Sequence, residues 1–166
     1  MAKTATYSLI ASTTLTNATT LTVTFSSIPA TYTDLVAVIA GTHTSALTGF
    51  TCDFNNVITG GLYSRTVLIG NGSAASSSRN SSQDTQFIGL LGTGQSNTIV
   101  HIMDYANTTT YKTSLARAND AGNTVRAQVS LWRSTAAINR IDFTMGSNYF
   151  GNGTTFKLYG IEAGNL

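Results

Sequence analysis

Short runs of alternating apolar and polar residues, closely spaced turn residues and abundant Thr, Val and Ile predict an all-β protein. The expected form is an antiparallel β-sandwich, jelly-roll-like, with about ten to eleven short strands in one domain over residues 1–166. Residues 20–25 (TLTVTF) alternate strictly, placing Leu21, Val23 and Phe25 on one face and threonines on the other. Residues 35–40 (LVAVIA) are apolar at every position and too few for an ordinary helix, so they predict a central strand covered on both sides, with Val36 and Val38 in the core. Residues 125–131 (VRAQVSL) alternate again, which predicts Val125, Ala127, Val129 and Leu131 inward and Arg126, Gln128 and Ser130 outward. In residues 141–145 (IDFTM), Ile141 and Phe143 point in while Asp142 and Thr144 meet water.

Weaker strand patterns cover residues 7–13, 51–54, 63–69, 87–91, 98–105, 112–118 and 155–161, the last carrying Leu158 into the core. Between them stand Pro29, Asn55 with Asn56, Gly60 with Gly61, Asn71 with Gly72, Gly92 with Gly94, residues 120–122, Gly146 and Gly151 with Gly153, each a turn signal. The best helical candidate is a turn or two near residues 114–119, and Thr and Asn, in which the chain is rich, are poor helix formers. Residues 70–86 are rich in Ser and Asn and predict a long polar loop, of the kind that contacts partners or moves.

Composition narrows the function classes. Charged residues are 10% of the chain, far below the ~25% of an ordinary soluble domain, and the formal net charge is +2. The surface must be hydroxyl and amide, which is poorly protected against association by like-charge repulsion and suits a subunit of an assembly. Such a surface also tolerates salt, because little of its stability rests on screened charges. Cations scattered singly from Lys3 to Lys157 cannot supply the cluster of phosphate contacts that nucleic-acid binding needs. The sequence after Lys3 lacks the apolar core of a secretory leader, and no window approaches a membrane span, so the chain is expected to be made in a cytoplasm, to remain soluble and to have no membrane partner. Cys52 stands alone and reads as a buried, inert thiol.

No motif for chemistry stands out, and the chain is read as having no catalytic residue, no cofactor site and no metal site. His43 and His101 have no Cys, His or carboxylate beside them at metal-ligand spacing and read as polar positions at strand ends. Acid–base chemistry needs paired carboxylates, which the few aspartates and Glu162 could supply only from distant strands. Arg140 and Asp142 share a strand face and read as a surface ion pair. The nucleophile elbow and the phosphate-loop endings are both missing, so Gly70 to Gly72 and Gly92 to Gly94 are turns. The N-x-Ser/Thr triplets at Asn17, Asn71, Asn80, Asn107 and Asn152 follow from composition alone.

Three stretches in order are more informative: residues 28–38 (IPATYTDLVAV), residues 105–113 (YANTTTYKT), and residues 137–141 (AINRI) running on to residues 150–161 (FGNGTTFKLYGI). Together they span most of the chain, and the set resembles a group of small structural proteins of tailed bacteriophages. The resemblance implies a virion protein assembled in the host cytoplasm, without catalytic residues. Its implied role is a capsid decoration (cement) protein that binds the major capsid protein and stabilises the head shell, or else a tail, neck or fibre component. The chain ends at Leu166, without a fibrous extension, which favours the head. A homo-oligomer is expected because open sheet edges must be covered, and the resemblance makes it a trimer.

Partner contact is expected from the polar loops, through Ser76, Arg79, Gln83, Tyr111 and Lys112, with Arg79 and Lys112 as cations for charge-assisted hydrogen bonds. The rival expectation is a β-sandwich binding a receptor or carbohydrate, with Tyr7, Tyr32, Tyr63, Tyr105, Tyr111, Tyr149, Tyr159 and Trp132 available for stacking on sugars.

Overall fold

A computed structural model describes residues 6–120 and 122–162; Lys3, Ala121 and Leu166 lie outside the described residues. The described residues form twelve strands and no helix. In chain order these are β1 (Tyr7–Thr14), β2 (Thr22–Phe25), β3 (Asp34–Gly41), β4 (Thr48–Phe54), β5 (Tyr63–Gly70) and β6 (Ala75–Gln83), then β7 (Gln86–Leu91), β8 (Ser96–Met103), β9 (Lys112–Asn119), β10 (Val125–Trp132), β11 (Ile141–Met145) and β12 (Thr155–Ile161). Every pairing is antiparallel. They build an eight-stranded sheet, β1-β12-β3-β8-β9-β10-β5-β6, and a four-stranded sheet, β2-β11-β4-β7. All the strands expected from alternation are present, and residues 114–119, the best helical candidate, lie inside β9.

The core is the layer between the sheets. Phe50, Phe54 and Phe143 from the small sheet meet Trp132, Tyr63 and Phe156 from the large one, all buried. Their rings touch in series: Phe54 is edge-on to Trp132 at 5.4 Å, Tyr63 stacks on Trp132 at 6.2 Å, and Phe150 stands edge-on to Phe156 at 4.9 Å. Such pairs contribute about 0.5–1.5 kcal/mol each beyond the area they bury.

The residues that carried the family resemblance pack together at one end of this core. The Tyr105 hydroxyl donates to the Pro29 carbonyl, Ile28 N–H donates to Asn139 O at 3.0 Å, and Ile138 N–H donates to Tyr105 O at 2.9 Å. The Tyr32 ring lies so close over Gly160 that a Cβ there would overlap it. Asn55, in the left-handed region at φ 57, closes the turn after β4, and its side-chain oxygen accepts from Asn139 N–H at 3.0 Å and Arg140 N–H at 3.2 Å. These stretches are therefore a structural node, and every contact named is one of packing or backbone hydrogen bonding.

Three expectations are corrected. Residues 70–86 are not a loop: they hold β6, which pairs along β5 after a turn in which Asn71 Oδ1 accepts from Ala74 N–H at 2.7 Å. This strand escapes an alternation test because it is the sheet's edge and eight of its nine residues are exposed, so neither face demands apolar side chains. The facing of β10 is also reversed. Gln128, Ser130 and Trp132 point into the sandwich and are buried, whereas Val125 and Val129 are 59% and 51% exposed and Leu131 is half-buried. Alternation marks a strand without saying which face is inward, and β10 lies where the wide sheet outruns the narrow one. Leu21, expected in the core, precedes β2 and is exposed, and Val38 is only half-buried, because β3 has neighbours on both sides in its sheet but no second layer over its outer face. The other predicted core residues, Val23, Phe25, Val36, Ile141, Phe143 and Leu158, are buried.

Truncating Phe156 to Ala should cost about 3–5 kcal/mol and lower Tm by roughly 10 °C, while Val129→Ala should stay within about 0.5 kcal/mol of the parent. Urea unfolding of the two variants checks this; equal losses would contradict the facing of β10.

Candidate functional site

The outer face of the large sheet is the main solvent-facing surface with an unusual character. Cross-strand register sets Leu68, Ala127, Arg117, Ile99, Val38 and Lys157 in one row over six strands. The adjoining row brings Val129, Leu115, His101, Val36 and Tyr159 into line. Leu68 is 58% exposed, and with Val125, Ala127, Ile99 and Arg117 it lines a shallow groove of about 580 Å³. Cations stand along this apolar face: Arg117, Lys157 and, opposite Thr66 on β6, Arg79, all exposed. Among the described residues none of the three lies within salt-bridge distance of a carboxylate. The face's own acid, Asp34, is engaged by His101 Nε2 at 2.8 Å and by Asp104 N–H at 2.8 Å.

The expected contact residues do not form one cluster. Ser76, Arg79 and Gln83 lie on the exposed β6, where Arg79 faces outward with Thr66 and Ser76 faces the other way with Ile69. Tyr111 is 54% exposed at the end of a separate loop, which Asn107 Oδ1 ties down by accepting from Thr109 N–H and Thr110 N–H at 2.6 and 2.9 Å. Lys112 is a correction. It is 1% exposed, its ammonium donating to Thr110 O at 2.8 Å and Thr135 O at 3.3 Å, so it braces the loop from inside and offers no charge to a partner. Burial lowers its pKa, with Asp104 acting the other way.

The residues weighed for chemistry are structural in their contacts. His43 is buried, with Nε2 at 2.9 Å from Ser147 O and Nδ1 at 2.9 Å from Ala46 O and 3.2 Å from Ser45 N–H, so both ring nitrogens are engaged by backbone groups. His43 pairs with Phe150 in an isolated β-bridge just past the end of β3, and His101 lies within β8 near its end. Burial raises the pKa of the Cys52 thiol, and the charge of Asp53 raises it further. Tyr63 and Tyr105 are buried with Trp132, which leaves Tyr7, Tyr111 and Tyr149 as the freely exposed tyrosines.

Arg140 and Asp142 are not a simple surface pair. Asp142 is 3% exposed and accepts a fork from Arg140, Nε to Oδ2 at 2.6 Å and Nη2 to Oδ1 at 2.8 Å, along with the Thr24 hydroxyl. Directly across the strand pair stands Asp53, also buried, with Oδ1 unpartnered. This neighbour was missed because the two aspartates are far apart in sequence and only the β4–β11 register joins them. Burial and the charge of Asp142 push Asp53 up to about 6 against the pull of Arg140, while for Asp142 burial is outweighed by hydrogen bonds from Arg140 and Thr24 and the lower pKa results. The pair lies on the outer face of the small sheet, and neither residue lines any of the four main surface hollows. Among the described residues no group of three or more His, Cys, Asp or Glu is placed to hold a metal ion, and no helix is long and apolar enough to cross a membrane.

No protein-family model matches the chain, and no curated protein matches it. The outer face and the β6 edge must be judged on their own geometry.

The Asp53 carboxyl binds its proton more tightly folded than unfolded, so its contribution to stability is fully present below about pH 4 and is lost as pH rises through about 6. Asp53→Asn should therefore stabilise the protein at pH 7.5 by about 1–2 kcal/mol after solvent screening, and leave stability at pH 3.5 nearly unchanged. Thermal melts at the two pH values check it; an equal gain at both would mean that the charge is not the cause.

Proposed function

We propose that the chain is a non-catalytic structural protein of a tailed-bacteriophage virion, a capsid decoration (cement) protein that binds the head shell through the outer face of its large sheet. The observation that carries the reading is that face: a broad, stiff, largely apolar surface with Arg117 within it and Lys157 and Arg79 toward its two sides, none of the three within salt-bridge distance of a carboxylate among the described residues. Eight strands at about 4.8 Å spacing and eight residues at about 3.4 Å rise make roughly 1000 Å², enough to supply the ~800 Å² that one partner contributes to a standard interface. An apolar strip with Arg117 inside it and Arg79 and Lys157 toward its sides fits a capsid surface that presents apolar side chains interspersed with carboxylates.

The strand order supports the jelly-roll part of this reading. β1, β3, β8 and β12 belong to the large sheet and β2, β4, β7 and β11 to the small one, the interleaving of two Greek keys, with the β5–β6 and β9–β10 hairpins added to one sheet. In the same reading copies of the chain associate along β6, whose outer backbone edge has no strand beside it, to give a trimer. The mechanism is clamping. A modest free energy per contact, repeated over a shell, resists internal pressure without turnover.

The test uses the paired substitution Leu68→Asp with Val129→Asp. Both residues are solvent-exposed, so the variant should fold and melt like the parent. It should nevertheless bind phage heads assembled without this protein at least ~100-fold more weakly, because burying each of the two apolar side chains against a partner strengthens binding about tenfold or more. A folded variant that decorates and heat-protects heads as the parent does would remove the face from the interface. Bare heads as heat-resistant as decorated ones would end the cement role.

A further inference from the structure

At the other side of the large sheet, where β5 and β10 extend past the small sheet, the interior is polar. Arg65, Ser130 and Ser114 form one cross-strand row of the inner face, and β7 supplies Gln86 and Phe87 from across the gap. Several bonds close this layer: Ser114 Oγ donates to Gln86 Oε1 at 2.9 Å, Gln128 Nε2 donates to the Phe87 carbonyl, and Arg65 Nε donates to Asn80 Oδ1 at 3.1 Å. The guanidiniums of Arg65 and Arg126 both lie against the Phe87 ring, 4.4 and 5.4 Å from its centre. Beside them is a hollow of about 200 Å³ lined by Thr51, Ser64, Arg65, Gln83, Thr85 and Gln86, with the rings of Tyr63 and Phe87.

The hydrogen bonding of this region is unbalanced in one direction. Arg65 Nη1, Arg126 Nε and Gln86 Nε2 are buried atoms without partners, set against one unpartnered acceptor, Gln128 Oε1. Gln86 itself is 2% exposed. Among the described residues neither arginine has a carboxylate within salt-bridge distance, and no acidic residue lines the hollow. Two like charges share one aromatic ring; burial and the nearby Arg126 lower the pKa of Arg65, and burial lowers that of Arg126 against the pull of Asp120. A buried donor left unpaired is costly, and adjacent cations without a paired carboxylate add to that cost. Water in the hollow would satisfy the donors but leave the charge uncompensated. An oxyanion answers both, since the Arg fork and a primary amide are donors suited to its oxygens.

We propose that the hollow between β7 and the β5–β6 hairpin is an oxyanion-binding site, in which Arg65 and Gln86 hold a carboxylate or a tetrahedral oxyanion and Arg126 adds charge from beyond Phe87. Phe87 acts as the spacer that keeps the two guanidiniums over one surface. The site does not depend on the assembly role, because it is built within one chain and can be tested on the isolated protein.

The experiment is a titration of the full chain with inorganic phosphate, and separately with acetate, against sodium chloride at constant ionic strength. With a bound oxyanion, Tm should rise saturably, by about 4 °C at ten times Kd, and the side-chain resonances of Gln86 Nε2H₂ and Arg65 Nε–H should shift with the same Kd. Arg65→Gln should abolish the rise. Saturation by acetate but not phosphate would assign the site to carboxylates, such as those of a protein side chain or chain end; saturation by phosphate would assign it to tetrahedral anions. If neither anion moves those resonances in the parent, or if Arg65→Gln leaves the Tm response unchanged, the site does not exist. The resonance shifts decide the matter on the parent alone should Arg65→Gln fail to fold.

Discussion

Eight strands face four, and most of what is unusual in this protein follows from that mismatch in width. The four-stranded sheet can seal only part of the large sheet's inner face, and there the layer holds two groups of aromatic rings, Phe143 with Phe156 and Phe54 with Trp132. Past Tyr63 and Trp132, which still meet Phe54, the inner face of β5 and β10 reaches the small sheet only at its β7 edge, and its side chains change from aromatic to Gln, Ser and Arg. β6, one strand further out, has water on both faces and needs no apolar residue. An interior that would be too polar for the middle of a sandwich is therefore tolerable at its open side.

The same mismatch explains what could and could not be read from the sequence. The existence of strands was legible wherever side chains alternated, in β2, β10 and β11, and wherever turn residues bounded an apolar run, in β3. The direction of facing was not. For β10 alternation is equally strong in either sense, and only the buried Trp132, in phase with Gln128 and Ser130, reveals which face is inward. β6 was illegible because a strand solvated on both sides has the composition of a loop; its identity rests on backbone pairing with β5, which leaves no mark on side-chain chemistry. Of the expected contact residues, Ser76, Arg79, Gln83 and Tyr111 are at the surface because small polar or amphipathic residues there had no reason to be buried. Lys112 was misjudged because a lysine can be buried when backbone carbonyls receive its ammonium, as Thr110 and Thr135 do. The apolar outer face was unreadable in principle: its rows combine residues from six strands, and only the register lines them up.

A surface short of charge also changes how the few ions behave. Asp142 is held by a guanidinium fork and a threonine hydroxyl, while its neighbour Asp53 receives neither and is raised toward neutrality. Arg65 and Arg126 stand in the opposite situation, two cations with no carboxylate within salt-bridge distance among the described residues. With so few charges, pairing is settled by individual register positions instead of by a screened average over many residues, so single substitutions at these places have local and readable effects.

The pairing of β1 with β12, Tyr7 opposite Ile161, has a bearing on how the chain is made. The first strand emerges from the ribosome some 150 residues before β12, its neighbour in the sheet among the described residues, which at about 5–20 residues per second is a wait of roughly 8–30 s. β3, which needs β12 on one side and β8 on the other, is left half-paired over much of the same interval. The β1–β12–β3 side of the large sheet thus forms only once β12 has emerged, and the nascent chain carries an apolar β3 without that partner until then. Few charges are present to keep such chains apart, so yield in a crowded cell is governed by how quickly the last strand arrives.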